Sequence, residues 1–236
     1  MTRNEVCNLI RKIGIIPAVR VSSGADAHFA AEAVTRAGIP IVEITMTVPG
    51  AVDLIAHLAK HDSTTVVGAG TVLDIDTAKR CLDAGAGFLT APECYRDVLE
   101  FAVKENVAAL PGALTPTEVA AAWRAGADYV KVFPCMQVGG PKYIKAIHAA
   151  LPQIPLIAAG GVDQQTASDF ILAGATAIGV GTELVPTQAI AQRQSDRIRE
   201  LALRFSEAVK RARDRLQADG NVTVGQRFKD TDKCET

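Results

Sequence analysis

The sequence predicts an α/β fold, a single (β/α)8 barrel. Two observations carry this. The chain holds eight short, nearly continuous apolar runs, each followed by a helical pattern, and an Ala-Gly step stands just before every second run. The steps are Ala37-Gly38, Ala84-Gly85, Ala125-Gly126 and Ala173-Gly174, spaced 47, 41 and 48 residues apart. Each interval therefore holds two βα units. A glycine just past a last helical turn takes the left-handed cap conformation at little steric cost.

Taken in order, the first run is Ile15-Ile16-Pro17-Ala18-Val19-Arg20, with a helix expected over 24–37. The second, Ile39-Pro40-Ile41-Val42-Glu43-Ile44, precedes a helix over 49–60. Thr65-Val66-Val67-Gly68-Ala69 is third, and Asp74 stands as N-cap of a helix over 75–84. Gly87-Phe88-Leu89-Thr90 is fourth, with a helix over 94–105. Val107-Ala108-Ala109-Leu110 is fifth, and Thr115 caps a helix over 116–125. Tyr129-Val130-Lys131-Val132 is sixth, with a helix over 140–150. Pro155-Leu156-Ile157-Ala158-Ala159 is seventh, and Asp163 is the expected cap of a helix over 163–173. Ala177-Ile178-Gly179-Val180 is eighth, with a last helix over 187–217.

Runs apolar on both faces suit a parallel sheet covered by helices, and eight units close a barrel. A doubly wound open sheet is the competing arrangement. It would want a Gly-rich dinucleotide loop after the first strand, and Arg20-Val21-Ser22-Ser23-Gly24 is not GxGxxG. One barrel domain is expected over 1–216, with 217–236 as a polar, aperiodic and disordered tail.

Composition narrows the function classes. A net charge of −1 and a pI near 6.4 leave no basic footprint for nucleic acid. No run of about 18 apolar residues suggests a membrane span, and Met1-Thr2-Arg3-Asn4-Glu5-Val6 has no apolar signal core. Five scattered cysteines (Cys7, Cys81, Cys94, Cys135, Cys234) show no CxxC or zinc spacing, as free thiols of a reducing compartment would. A soluble cytoplasmic protein is expected, with no metal. His28, His57, His61 and His148 fall on expected helices or their ends and read as surface histidines.

The sixth strand contains the chemistry. Lys131 lies in an apolar run, Tyr129 to Phe133, where a lone ammonium is costly unless its pKa falls or a carboxylate pairs with it. A lysine partly neutral near pH 7 attacks carbonyl carbons. A snorkelling lysine at a strand end is the bland alternative. Parity turns Lys131 inward, because Val130 and Val132 suit the helix-facing side. In the second strand Val42, Ile44 and Met46 share a parity, which leaves Glu43, Thr45 and Thr47 inward. Both strands are even-numbered and so fill the same interior layers, which makes Glu43 and Lys131 neighbours across the axis. A structural ion pair is the alternative for that couple.

Other residues collect at the C-terminal rim, where barrels of this kind place their sites. Arg20 ends the first strand and is a natural anion contact. Thr71, after Gly68-Ala69-Gly70, can hydrogen-bond a carboxylate. Leu110-Pro111-Gly112-Ala113 reads as another exposed turn at this rim, and Phe133 shares the parity of Lys131. After the seventh and eighth strands stand Gly160-Gly161 and Gly181-Thr182. Glycine N–H groups and a hydroxyl in these two loops can cradle a phosphate, helped by a helix N-terminus. Two ordinary glycine turns are the alternative.

Val42-Glu43-Ile44-Thr45, Gly68-Ala69-Gly70-Thr71-Val72, Leu110-Pro111-Gly112, Val130-Lys131-Val132-Phe133-Pro134 and Gly160-Gly161-Val162 occur in order at matching spacing. Over about residues 5–213 the chain resembles the class I 2-keto-3-deoxy-6-phosphogluconate (KDPG) and 2-keto-4-hydroxyglutarate (KHG) aldolases. The resemblance implies a homotrimer of TIM barrels and a retro-aldol reaction without metal or other cofactor. Its products are pyruvate and glyceraldehyde 3-phosphate or glyoxylate, and its substrate class is a phosphorylated keto acid. It implies Lys131 as Schiff-base lysine and Glu43 as general acid/base. It implies Thr71 and Arg20 as substrate contacts and Gly160, Gly161 and Thr182 as phosphate contacts. From their places at the same rim, Thr47, Pro111, Gly112 and Phe133 are expected to join the substrate contacts and Gly181 the phosphate contacts. The chain departs from the family pattern at Thr47 (arginine in some members), at Ala158-Ala159 before the glycine pair (often Pro-Thr), and at Cys135-Met136-Gln137. These departures flank the lysine and bear on which sugar acid is cleaved. A phosphate-binding isomerase or epimerase, and a non-catalytic trimeric barrel, are the competing functions.

Overall fold

The computed structural model describes residues 1–62, 64–218 and 220. The described elements run α1 (Arg3–Ile13), β1 (Ile15–Val19), α2 (Gly24–Arg36), β2 (Ile41–Thr45), α3 (Ala51–His61), β3 (Val66–Gly70) and α4 (Ile75–Asp83). They continue with β4 (Phe88–Thr90), α5 (Arg96–Lys104), β5 (Ala108–Leu110), β6 (Gly112–Ala113), α6 (Pro116–Arg124) and β7 (Val130–Val132). After a 3-10 turn at Met136–Val138 come α7 (Pro141–Ala150), β8 (Leu156–Ala159), α8 (Ala167–Leu172), β9 (Ala175–Val180), α9 (Thr187–Ala191) and α10 (Ser195–Ala218).

Every strand pairing is parallel, and the order is β5-β4-β3-β2-β1-β9-β8-β7-β6. Since β5 and β6 are one strand interrupted at Pro111, which has no N–H to donate, this order closes on itself. The architecture is the expected (β/α)8 barrel. Pro111 and Gly112 are buried, so Leu110-Pro111-Gly112-Ala113 is a continuation of the wall and not the exposed turn expected. The physical reason is closure. Gly112 pairs with Lys131, and the N–H of Lys131 donates to the Pro111 carbonyl at 2.9 Å.

Four further expectations change. The sequence predicts no helix before the first strand, whereas α1 precedes it and packs against β5 and β9. Thr2 and Glu5 form a capping box at its start, and Val6 and Ile10, one turn apart, are buried. Its Arg3 Nε donates to Asp128 Oδ1 at 2.9 Å, and the Tyr129 hydroxyl donates to the Cys7 carbonyl at 2.7 Å. The last helical stretch is two helices, because Arg193 takes a left-handed φ of 54° between them. That residue is held by Asp26 at 2.9 Å and by the Phe29 ring, 5.0 Å from its guanidinium carbon. Asp163 caps a turn and not a helix. Its carboxylate accepts the N–H groups of Gln165 and Thr166, and α8 begins only at Ala167. The tail expected over 217–236 begins inside α10, which runs to Ala218; residues 219 and 221–236, with Cys234, lie outside the described residues. No helix among the described residues is long and apolar enough to cross a membrane.

The histidines divide. His57 and His61 are exposed and His28 is half-buried, but His148 is tucked against Gly174 with Nδ1 buried and unpartnered among the described residues. Burial pushes the His148 imidazole below its ordinary pKa.

Inside the barrel, large side chains on even-numbered strands meet glycines on β3. A Cβ at Gly68 would stand 2.1 Å from the Phe88 ring, and one at Gly70 would stand 2.0 Å from Oε1 of Glu43. Both glycines thus hold open interior space that larger neighbours fill, which is how a barrel core interdigitates.

Candidate active site

Among the described residues the buried polar side chains are Glu43, Thr45 and Thr90, all from β2 and β4. Buried polar groups are the informative exceptions in an apolar core. Two of them converge on Lys131. Its Nζ lies 3.7 Å from Glu43 Oε2 and donates to Thr90 Oγ1 at 3.5 Å. Both members of the ion pair are nearly enclosed, with side-chain exposures of 14% for Lys131 and 6% for Glu43.

Local sequence explains the placement. Val130 and Val132 are fully buried on one face of β7, so the alternation of a strand aims Lys131 the other way. Glu43 pairs in register with Ala18 on β1 and Gly68 on β3, in the middle of the sheet. A carboxylate there is largely shielded from solvent, and the facing ammonium is the compensation that burial of a charge requires. The expected pairing across the axis is what the structure holds.

Phe133 lies close to the amine, with Nζ 5.7 Å from its ring centroid. Thr71 follows β3 in the left-handed region, at φ 60°. A β-branched residue there is strained at a cost on the order of 1–3 kcal/mol, and such strain clusters at ligand sites. Thr47 is exposed, and its hydroxyl is 2.8 Å from that of Thr45, which also donates to the Val19 carbonyl. Arg20 is exposed at the end of β1 and makes no ion pair among the described residues. Pro111 and Gly112 form the wall beside Lys131. A Cβ on Gly112 would stand 2.1 Å from the Pro92 carbonyl oxygen.

The loops after β8 and β9 hold the expected glycines. Gly160 and Gly161 have φ of 87° and 85°, and a Cβ on either would meet the Phe133–Met136 segment. The N–H groups of Cys135 and Met136 donate to the carbonyls of Ala159 and Gly160 at 2.9 and 3.1 Å. The segment after the lysine strand is thereby latched to the glycine pair. The N–H groups of Gly161 and Thr182 make no hydrogen bond to another described residue. They are free to bind an oxyanion. The helical turn nearest these glycines follows β9 at once, where the Gly181 carbonyl accepts the N–H groups of Leu184 and Val185 at 3.0 Å. α8 and α9 begin only at Ala167 and Thr187, and both are short.

Thr90 is the residue that sequence reasoning missed. Its strand is even-numbered, and Phe88, which shares its parity, packs against Gly68 inside the barrel. The parity argument applied to Glu43 and Lys131 would have found it. Cys135 stands next to the site, but burial pushes its thiol up to about 12, which removes it as a nucleophile. No group of three or more His, Cys, Asp or Glu residues among those described could hold a metal ion.

The arrangement suits imine chemistry: a primary amine, a carboxylate 3.7 Å from it, and a rim that carries an exposed arginine and backbone N–H groups unpaired among the described residues. Comparison with known proteins agrees. The family model for KDPG and KHG aldolase matches residues 6–201. The 2-dehydro-3-deoxy-phosphogluconate aldolase of Pseudomonas aeruginosa is 32% identical over 208 residues, covering 86% of this chain and 94% of the relative. A native KDPGal structure superposes with a TM-score of 0.78 at 30% identity, covering 86% of this chain and 97% of that one. A KDPG aldolase from Legionella pneumophila, with pyruvate captured at low pH as a covalent carbinolamine intermediate, superposes with a TM-score of 0.77 at 27% identity. Coverage there is 83% of this chain and 95% of that one.

Proposed function

The chain belongs to the KDPG and KHG aldolase family, and from that premise we propose that Lys131 forms the imine, with Glu43 as its acid/base partner. The protein is a class I pyruvate aldolase, a carbon–carbon lyase. It cleaves a 2-keto-3-deoxy-6-phospho sugar acid (KDPG or its galactonate epimer), 4-hydroxy-2-oxoglutarate, or both. The products are pyruvate and glyceraldehyde 3-phosphate or glyoxylate. The observation that carries the residue assignment is the buried pair itself, Lys131 Nζ 3.7 Å from Glu43 Oε2.

The steps follow from that geometry. Glu43 takes a proton from the Lys131 ammonium, and the neutral amine attacks the keto carbon and passes a proton to the new alkoxide. Glu43 returns its proton to the departing hydroxyl, so that water leaves and a protonated imine that draws electrons remains. Glu43 takes the proton of the C4 hydroxyl, the C3–C4 bond breaks, and its electron pair flows into the imine to give an enamine and a free aldehyde. Return of a proton to C3 and hydrolysis then release pyruvate and restore the lysine. A positioned acid/base group of this sort contributes on the order of 10²–10⁴-fold in rate.

Around this pair, Thr71, Arg20, Thr47 and Phe133 contact the substrate, with Pro111 and Gly112 shaping the wall. Gly160, Gly161, Gly181 and Thr182 bind the distal phosphate. The free N–H groups of Gly161 and Thr182 support that assignment. The protein works as a homotrimer in the cytoplasm. Free cysteines at positions 7, 81, 94 and 135 fit that compartment, and sedimentation tests the trimer.

Borohydride with saturating pyruvate should add one stable mass to Lys131, and Lys131→Ala should abolish both adduct and turnover. No adduct on Lys131 would overturn the assignment. Pyruvate release over KDPG, its galactonate epimer, 4-hydroxy-2-oxoglutarate and an unphosphorylated analogue identifies the substrate.

A further inference from the structure

Thr90 has no part in the reaction as described so far, yet it is 3% exposed and its hydroxyl points at the amine. A buried hydroxyl costs free energy unless it finds a partner. Its neighbour in the same class, Thr45, spends its hydroxyl on the Val19 carbonyl and on Thr47. Thr90 Oγ1 has Lys131 Nζ as its partner among the described residues, at 3.5 Å. A valine would fill this strand position at nearly the same volume, with high β-propensity and no polar group to satisfy. The hydroxyl therefore has a use that packing does not supply.

Resting on the assignment of Lys131 as the imine-forming residue, we propose that Thr90 is a positioning residue for the nucleophile, fixing the direction of its lone pair. A neutral amine carries two N–H bonds and one lone pair in a tetrahedral arrangement. Glu43 on β2 and Thr90 on β4 are two acceptors on different strands, 3.7 and 3.5 Å from the same nitrogen. When one N–H is directed to each, the lone pair is left pointing away from both. The keto carbon is attacked along that direction. As the N–C bond forms, the carbonyl electron pair moves to oxygen, which takes up a proton, and the nitrogen gives one up. A second proton, delivered to that hydroxyl by the Glu43 carboxyl that had taken it from the lysine, lets water depart and leaves the protonated imine with one N–H, for which Thr90 remains an acceptor. Hydrogen bonds in unliganded sites are long and shorten in the reacting complex, so 3.5 Å is a resting distance.

The test compares Thr90→Val, Thr90→Ser and the parent by rapid mixing with pyruvate and borohydride trapping on Lys131. Thr90→Val should slow adduct formation at saturating pyruvate on the order of tenfold, with the half-saturating pyruvate concentration little changed. Thr90→Ser keeps the hydroxyl and should trap within about threefold of the parent rate. Trapping of Thr90→Val at the parent rate overturns the proposal. So does a serine variant as slow as the valine variant, which would make the residue a packing element. If Thr90→Val does not fold, Thr90→Ala against Thr90→Ser isolates the same hydroxyl. Absence of any adduct in the parent would instead refute the assignment of Lys131, and the two failures are distinguishable.

Discussion

Replacing Gly70 by alanine tests whether the carboxylate position, and not only its presence, drives turnover. The added Cβ would stand 2.0 Å from Glu43 Oε1 and 2.6 Å from both its Cδ and Cγ. Real Cβ atoms essentially never approach a heavy atom closer than 3.0 Å, so the carboxylate must retreat by at least the difference, 1.0 Å. Gly70 has no positive φ, so the alanine backbone is unstrained and the clash falls on the Glu43 side chain. Misplacing a catalytic group by about 1 Å costs on the order of 10²-fold in rate, and overpacking a core costs about 1–3 kcal/mol. Gly70→Ala should therefore lower kcat for pyruvate release about 100-fold and depress the unfolding midpoint modestly. Borohydride trapping on Lys131 should still reach a full adduct, though more slowly, because the amine is retained while one acceptor of its N–H groups has moved. Gly87→Ala is the control, since its Cβ would meet Val66 Cγ1 at 3.0 Å and nothing of Glu43; its turnover should match the parent. A folded Gly70→Ala enzyme with kcat within about threefold of the parent would refute the reasoning.

Three further outcomes are expected. Thr71→Gly should relieve the left-handed strain and hold or raise the unfolding midpoint, while raising KM about tenfold through loss of the hydroxyl; a lower midpoint with unchanged KM would mean Thr71 serves the fold. Gly161→Ala forces a Cβ to 2.5 Å from Met136 Cβ at a φ of 85°. It should weaken KM for a phosphorylated substrate about tenfold and spare 4-hydroxy-2-oxoglutarate, and equal effects on both would count against the phosphate cradle. Burial lowers the pKa of His148 in the folded state. Its contribution to stability is therefore complete above the unfolded value near 6.5 and is lost as pH falls through the lower folded value. Thermal unfolding of His148→Leu between about pH 7 and pH 5 should show less acid sensitivity than the parent, and parallel profiles would remove His148 as the cause.

Much of this molecule is legible in the chain because the barrel repeats one local rule. Apolar runs with Ala-Gly steps placed the strands within a residue or two, and parity set Lys131 and Glu43 on the inner face. The misses are places where distant parts of the chain compete with local preference. Pro111 lies in a wall and not a turn, because closing the sheet requires β5 and β6 to align with β7. The break at Arg193 coincides with its pairing to Asp26, 167 residues earlier in the chain, which no local pattern announces. The helix at Arg3–Ile13 had its own cap and spacing signals, but charged residues on its exposed face masked the short apolar stripe.

By itself the sequence determined the strand count, the inward lysine and acid, and the glycine-bearing rims, because each depends on periodicity within one element. The tertiary structure alone decided which inward groups meet. The convergence of Glu43, Thr90 and Lys131 at 3.5–3.7 Å depends on stagger between strands. The space for the carboxylate depends on Gly70 of a neighbouring strand. Distances across a barrel are set by closure and register, which no single segment encodes.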